Sequence, residues 1–242
     1  MRIISYNIKK GGRGRASAIA SVLTAHQPDV VVLQEATDPT IVKDIAQQAE
    51  FPHCASGEGY SVAFLSKTEP TLVKWHAVRG IRSPFLEIHL QDSNLRIFGV
   101  HLTAFLVNRL ERKRAHEIRS LLEVVGDDPS HVLIGDFNTI INSEDSQFRK
   151  MPLWLRLMIM ANGGIRPRAL QLLLDAGYVD IFRHFNANNA GFTLPTPDPN
   201  TRLDYAFVLG EFISRMTACR AIRTPDEVNI ASDHYPLLLE MT

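Results

Sequence analysis

Cysteine is scarce in this chain of 242 residues: Cys54 and Cys219 stand far apart, outside any CxxC spacing. That excludes a disulfide-stapled scaffold and a thiolate zinc site; the pair reads as two buried reduced thiols, with a cytoplasmic address as the expectation. Net charge is absent too, since 26 Lys and Arg balance 26 Asp and Glu. A dedicated non-specific nucleic-acid binder carries a basic excess, so neutrality leaves only a local basic patch for such a role. No apolar run reaches the ~18 residues of a membrane span. MRIISYNI reads as a core strand, not as the basic and apolar opening of a secretory signal. GGRGRAS lacks the GxxxxGK[ST] spacing of a nucleotide-binding P-loop. With no repeat and no low-complexity linker, residues 1–242 are expected to form one domain.

What is present is an ordinary globular composition, 45% hydrophobic and 21% charged, with short β-branched and aromatic runs throughout. Strands are expected at 2–7, 30–34, 60–66, 71–76, 85–91, 95–101, 132–136, 203–209, 213–222 and 235–240. Helices are expected at 16–26, 40–50, 108–125 and 168–176. The helix at 108–125 carries Arg109, Glu111, Arg112, Arg114, Glu117 and Arg119 on a face read as charged, with Leu110, Ile118, Leu121, Leu122 and Val125 facing a sheet. QDSN at 91–94 reads as a hairpin turn between two alternating strands. Helices following some strands and hairpins joining others predict a mixed sheet or a two-sheet sandwich with helices outside. An apolar insertion around 143–167 contains MPLWLRLMI, 151–159, which fits a short helix capping the core or, alternatively, a lid or an interfacial patch.

Polar residues recur where the apolar runs stop. Asn7 follows IISY, Glu35 follows VVVLQ, His101 follows RIFGV, and Asp136 and Asn138 follow HVLIG; Asp204 lies in RLDYAFV, and Asp233 and His234 precede YPLLLE. Ligands of α/β sheets gather at strand ends, because the sheet fixes positions while the loops stay open. Glu35, Asp233 and Asn7 offer oxygen donors suited to a hard cation such as Mg²⁺ or Mn²⁺. A histidine beside a carboxylate can move a proton near neutral pH, and an Asn amide can donate to a phosphoryl oxygen as charge builds.

Taken in order, ISYNIKKGG, VVLQEAT, GVHL, LIGDFNT, RLDYAFV and SDHYPLLLE resemble the endonuclease/exonuclease/phosphatase superfamily over residues 2–240. The resemblance implies an α/β fold of the DNase I-like kind: a four-layer α/β sandwich, two mixed β-sheets packed face to face with helices outside. It implies a phosphoesterase dependent on Mg²⁺ or Mn²⁺. Glu35 matches the principal metal-binding glutamate, Asn7 supports that site, and Asp233 is a further metal ligand or water-mediated partner. His234 activates water or contacts phosphate, and Asp204 orients it. Asp136 is held near the attacking water or leaving oxygen, and Asn138 contacts phosphate. Whether Asp136 or His234 serves as base stays open. His101 points to the DNase, sphingomyelinase, phosphatase and tyrosyl-DNA phosphodiesterase branches, where it binds phosphate or protonates the leaving group. The other seven histidines match no motif and are read as structural. Arg202, beside Asp204, is a candidate phosphate contact or a structural ion pair.

Two substrate classes compete, with a catalytically inactive binding module behind them. Lys9, Lys10, Arg13 and Arg15, with the arginines after Asn108, favour a nucleic acid as partner and a nuclease-like diesterase. Neutral net charge and the apolar 151–159 stretch favour a lipid head group or a small phosphoester, with interfacial contact through that stretch.

Overall fold

The first strand states the plan of the molecule. In β1 (Arg2–Asn7) every residue after Arg2 is buried, and the buried residues divide by parity. Ile3 joins an apolar cluster lying between two sheets, whereas Ile4 and Tyr6 join a cluster under helices. A strand buried on both faces is a continuous apolar run, with successive side chains on opposite sides. β2 (Val30–Gln34) repeats this: Val30 and Val32 face the other sheet, Val31 and Leu33 the helices.

The computed structural model describes residues 1–90, 94–141 and 146–242. Its first sheet has the order β11-β12-β1-β2-β4-β3, adding β3 (His53–Ser56), β4 (Val62–Ser66), β11 (Met216–Ala221) and β12 (Leu237–Met241). The second has the order β5-β6-β7-β8-β10-β9, from β5 (Pro70–His76), β6 (Phe85–Leu90), β7 (Arg96–His101), β8 (His131–Asp136), β9 (Tyr178–Asp180) and β10 (Asp204–Leu209). Each sheet holds one parallel pair, β1 with β2 and β7 with β8, flanked by antiparallel strands. Each parallel step is crossed by a helix, α1 (Ala16–His26) and α3 (Asn108–Val125), as a parallel connection requires.

The sheets pack through Val30, Val32, Val62, Leu86, Ile97, Ile134 and Val208. A Cβ on Gly99 would lie 2.6 Å from Val32 Cγ1, so glycine there sets how closely they approach. Outside the first sheet lie α1, α2 (Pro39–Gln48) and α7 (Val228–Ala231); outside the second lie α3 and α5 (Ala169–Asp175). The result is the four-layer sandwich. α2 starts where the Asp38 carboxylate accepts from Thr40 N at 3.1 Å, with Pro39 in its first turn. α4 (Leu153–Ala161) and α6 (Ile181–Phe185) complete the helices. Among the described residues no helix is long and apolar enough to cross a membrane.

The structure departs from the sequence-based expectations in several places. β3, β9, α6 and α7 are additional elements; β3 and β9 are short edge strands, β3 partly buried and β9 buried at Tyr178 and Asp180. The strand expected at 213–222 begins at Met216, after a 3-10 helix over Gly210–Arg215. The QDSN turn lies outside the described residues, apart from Asn94. Cys219 is buried but Cys54 is only partly so, and both are free. The largest correction concerns α3, where Glu111, Arg114 and Glu117 are buried, not solvated.

That buried set holds the loops around the chemistry. Arg114 donates through Nη1 to the carbonyls of Thr103 and Phe105, both at 2.8 Å, and through Nε and Nη2 to Glu111 Oε2 at 3.0 and 2.8 Å. Glu111 also accepts from Thr139 Oγ1 and, at the start of α5, from the backbone N–H of Arg168 and Ala169. Glu117 accepts from Thr103 N and Oγ1 at 3.0 and 2.6 Å. Glu111→Ala would leave the Arg114 guanidinium buried without its carboxylate and the first turn of α5 uncapped. The expected cost is about 3–5 kcal/mol of unfolding free energy, read from urea denaturation; a change under about 1 kcal/mol would deny the network this role.

Candidate active site

The parity that builds the core also builds the site. Asn7, Gln34, His101, Asp136 and Asp204 share the between-sheet parity of Ile3, Val32, Ile97, Ile134 and Ala206 on their strands. They form the last rung of the slot between the sheets, where apolar packing gives way to polar groups. Register brings them level: Asn7 pairs with Gln34, His101 with Asp136, and Asp204 with Asp136. The chain must pass close by here, because a Cβ on Gly135 would sit 2.0 Å from the Val100 carbonyl oxygen.

Hydrogen bonds tie both sheets together at this rung. Asn7 Nδ2 donates to Asp136 Oδ2 at 2.9 Å and to Glu35 Oε1 at 3.4 Å, while its Oδ1 accepts from Lys9 N at 2.9 Å. Asn7 is thus a donor bridging two carboxylates, not a side chain with a free oxygen. Glu35 Oε2 accepts from Lys10 N at 2.6 Å. Asp136 Oδ1 accepts from Asn138 N at 2.9 Å, and Asn138 Nδ2 donates to Leu102 O, leaving its second N–H. His234 Nδ1 is 2.9 Å from Asp204 Oδ2, which fixes the ring and aims Nε2 toward Asp136 Oδ2, 4.0 Å away. His101 Nε2 approaches the same oxygen at 4.0 Å, its Nδ1 bonded to Ser61 Oγ at 2.9 Å.

The electrostatics follow from burial. Asp136 is 1% exposed, and burial first, then the Asp204 charge, raises its carboxyl above the ordinary range despite the nearby histidines and the Asn7 amide. Burial alone would pull His234 down; the Asp204 charge and hydrogen bond, with Asp136 behind, more than offset it and raise His234 to about 9. Backbone strain concentrates here as well. Lys9, Lys10, Glu35, Phe105 and Asn138 have positive φ, five of the seven such non-glycine residues described. Each costs about 1–2 kcal/mol and is held by its surroundings, a pattern typical of functional sites.

Two cavities open beside the rung. One of about 390 Å³ is lined by Lys10, Glu35, Ser61, His101 and Phe105 among others. The other, about 700 Å³, is lined by Lys9, Lys10, Arg13, Arg15, Ser232 and Asp233 among others. The Asp233 carboxylate faces Lys9 Nζ at 3.0 Å in the second cavity. Arg15 turns back to the Ala231 carbonyl at 2.5 Å. Arg202 leaves the site altogether. It is 1% exposed, 2.7 Å from Asp180 Oδ2, and its guanidinium lies over the Tyr205 and Phe182 rings. The structural ion pair replaces the phosphate contact, because a side chain so enclosed does not reach solvent.

Sequence reasoning passes over Ser61 and Ser83, which bond each other at 2.7 Å behind His101 and belong to no motif. It also leaves Ser232 without a role, though Ser232 sits in SDH; its Oγ donates to Asn7 O at 2.6 Å and accepts from His234 N at 3.3 Å. The unassigned histidines are structural where they pack: His76 and His89 hold Glu87, and His131 bonds Tyr178 Oη.

The donor set suits a hard divalent cation. Among the described residues no Lys or Arg forms an ion pair with Glu35, Asp136 or Asp204. Asp204 Oδ1 is buried without a hydrogen-bond partner. Ligand atoms of Asp136, Asp204 and His234 lie within 4.8 Å of one another. Carboxylate oxygens in excess over fixed cations are what Mg²⁺-type ions require.

A model of the endonuclease/exonuclease/phosphatase family matches residues 4–234. The chain belongs to this family. It is therefore a hydrolase of phosphoester bonds, and dependence on a divalent metal is general among endonuclease/exonuclease/phosphatase proteins. Among solved structures, an AP endonuclease from Archaeoglobus fulgidus superposes with a TM-score of 0.79 at 18% identity, covering 100% of this chain and 99% of that one. The 3'-5' exonuclease NExo from Neisseria meningitidis gives 0.78 at 20% identity, with 100% and 99% covered. A point variant of NExo from Neisseria, described as a 3' phosphatase bound to a product DNA hairpin, gives the same values. These likenesses establish the fold. No curated protein matches the chain in sequence.

Proposed function

We propose that this family member is a Mg²⁺- or Mn²⁺-dependent phosphodiesterase acting on nucleic acid. The observation that carries the reading is the basic cavity of Lys9, Lys10 and Arg13, whose lining runs to Ser232 and Asp233, the residues before His234 of the Asp136–His234–Asp204 array. A single phosphate needs one anion-binding point, whereas several cations lining one cavity suit a strand with several phosphates. The solved relatives named for DNA substrates agree with it. Both sheets contribute to one site, which supports treating residues 1–242 as one catalytic domain; the free cysteines fit a cytoplasmic address.

Glu35, with Asp136 or Asp204, would hold the cation, and Asp233 would join if Lys9 released it. Once bound there, the ion would supply Lewis-acid polarisation of a phosphoryl oxygen. His234, fixed by Asp204 and kept protonated at neutral pH, donates from Nε2 to the phosphoryl group. Asp136, more basic than an ordinary carboxylate, takes the proton of the attacking water. Asn138 and Asn7 hold the Asp136 carboxylate in place. His101, tethered to Ser61, faces the open cavity, where it can protonate the leaving oxygen.

The test is a metal-supplemented panel of single- and double-stranded DNA, RNA, phospholipids and phosphomonoesters, with His234→Ala as control. Nucleic-acid cleavage should fall steeply with salt and weaken when Lys10 and Arg13 are both changed to Glu. Turnover confined to sphingomyelin or a monoester would overturn the substrate. The lipid or small-molecule reading has one observation of its own, the exposed apolar helix α4. No turnover of any substrate, including bis(p-nitrophenyl) phosphate, would leave a binding module.

The His234 pair also predicts a pH dependence of stability. Its folded value, about 9, lies above the ordinary 6.5, so its contribution is complete below about 6.5 and is lost as pH rises through about 9. Urea midpoints measured in EDTA should decline over that window in the wild type and be flatter in His234→Gln. Equal slopes in both would contradict the pairing.

A further inference from the structure

α4 inverts the usual arrangement of a surface helix. Leu153, Trp154, Leu157 and Met160 are 65%, 63%, 56% and 64% exposed. At i, i+1, i+4 and i+7 they form one stripe along the helix, and that stripe faces solvent. Only Ile159 of this helix is fully buried, over an apolar cavity lined by Ile140, Phe148 and Pro167 among others. The expected core cap is therefore only part of the description: Ile159 is buried, Leu155 and Met158 are partly so, and Met160 reaches the rim of that cavity, while Leu153, Trp154 and Leu157 face solvent. A stripe of this kind on a described surface marks an interaction site, not packing.

Charge says what covers it. From Ser146 to Arg168 there are five basic residues, Arg149, Lys150, Arg156, Arg166 and Arg168, and no acidic one, in a chain whose overall charge is zero; the acidic pair Glu144 and Asp145 stands just before. Arg149, Lys150, Arg166 and Arg168 are exposed, and Arg156 lies with its guanidinium 5.6 Å from the Phe148 ring centroid. An apolar stripe with tryptophan, bordered by basic side chains, matches the interface of an anionic bilayer, where apolar groups enter the acyl boundary and cations meet lipid phosphates. A nucleic-acid surface answers the basic residues but leaves the four apolar side chains in water.

The helix adjoins the catalytic rim. Its cavity includes Ile140, two residues beyond Asn138, and Gly163 after α4 lies against Asn108 at the start of α3. Phe105, 61% exposed and lining the cavity with His101 and Glu35, adds an apolar group near by. We propose that the exposed stripe of α4 with its basic border docks this protein on an anionic lipid surface, whatever phosphoester its site cleaves.

The experiment is co-sedimentation of the full chain with vesicles of phosphatidylcholine alone or mixed with phosphatidylglycerol, alongside Trp fluorescence. Binding should require the anionic lipid, weaken with salt, and shift Trp154 emission to the blue. Trp154→Ala with Leu157→Ser should weaken partitioning at least about tenfold, and Arg149→Gln with Lys150→Gln should weaken it while leaving bis(p-nitrophenyl) phosphate turnover unchanged. Failure to sediment with anionic vesicles overturns the proposal, as does equal binding by the apolar variant. So does a wild-type dimer in size-exclusion chromatography that the apolar variant dissolves, because a second copy would then cover the stripe. Absence of phosphoester turnover in the wild type would instead count against the catalytic reading and leave vesicle binding intact.

Discussion

Asp136→Asn is expected to lower kcat by about 10³-fold while leaving the protein folded, within the range that a positioned acid or base contributes. The substitution keeps the shape of the side chain. Its remaining oxygen can still accept from Asn138 N, as Asp136 Oδ1 does at 2.9 Å. What disappears is the proton acceptor, with the hydrogen bond that Asp136 Oδ2 accepts from Asn7 Nδ2 at 2.9 Å, and the charge 4.0 Å from His234 Nε2. Three measurements separate this from a structural effect. Thermal unfolding should be unchanged or shifted upward, because a buried carboxylate no longer has to be ionised. The acid limb of the pH–rate profile, which reports Asp136, should vanish. The His234 titration, followed by NMR, should move down from about 9, since Asp136 is one of the charges holding it up. Turnover above a tenth of wild type would sink the assignment of Asp136 as base. Loss of the alkaline limb in its place would transfer the role to His234.

Much of this site was legible because it is an extension of strand periodicity. Asn7, His101, Asp136 and Asp204 stand where the next apolar residue of the between-sheet face would have stood, so the same alternation that marks the core marks the site. The expected bounds of β1, α1, β2 and α3 coincide with the observed ones for the same reason: each is a run of one clear period between breakers. What escaped was decided by side-chain partners. Glu111, Arg114 and Glu117 have the spacing of a solvated face, and nothing local says that two loops and a helix terminus will be laid over them. Arg202 lies two residues from Asp204 in sequence, but its position depends on Asp180, Phe182 and Tyr205, one from β9 and one from α6, elements short enough to be overlooked. Ser61 and Ser83 reach His101 only through tertiary contact. The apolar 151–159 stretch showed its composition but not its orientation, and orientation separates a core cap from an exposed stripe.

Glu35→Gln carries the second large effect and tests the metal independently of the base. Glu35 holds a left-handed backbone at φ 55, immediately after β2, and its carboxylate accepts from Lys10 N and Asn7 Nδ2. Gln can keep one of those acceptors, so the strained turn should survive and the fold with it. The loss is one negative charge at an opening where, among the described residues, no Lys or Arg forms an ion pair with the carboxylate. A hard cation bound by few protein oxygens depends strongly on each charged one. Mn²⁺ affinity, measured by calorimetry or electron paramagnetic resonance, should fall at least about tenfold to 100-fold. Turnover at fixed metal should drop on the order of 10³-fold, since Lewis-acid stabilisation of several kcal/mol is removed when the ion is absent or displaced. Raising Mn²⁺ should recover part of the rate in Glu35→Gln and none of it in Asp136→Asn, because only the first loss is one of occupancy. Wild-type Mn²⁺ affinity in Glu35→Gln would move the cation to Asp136, Asp204 and His234, the cluster whose ligand atoms lie within 4.8 Å of one another.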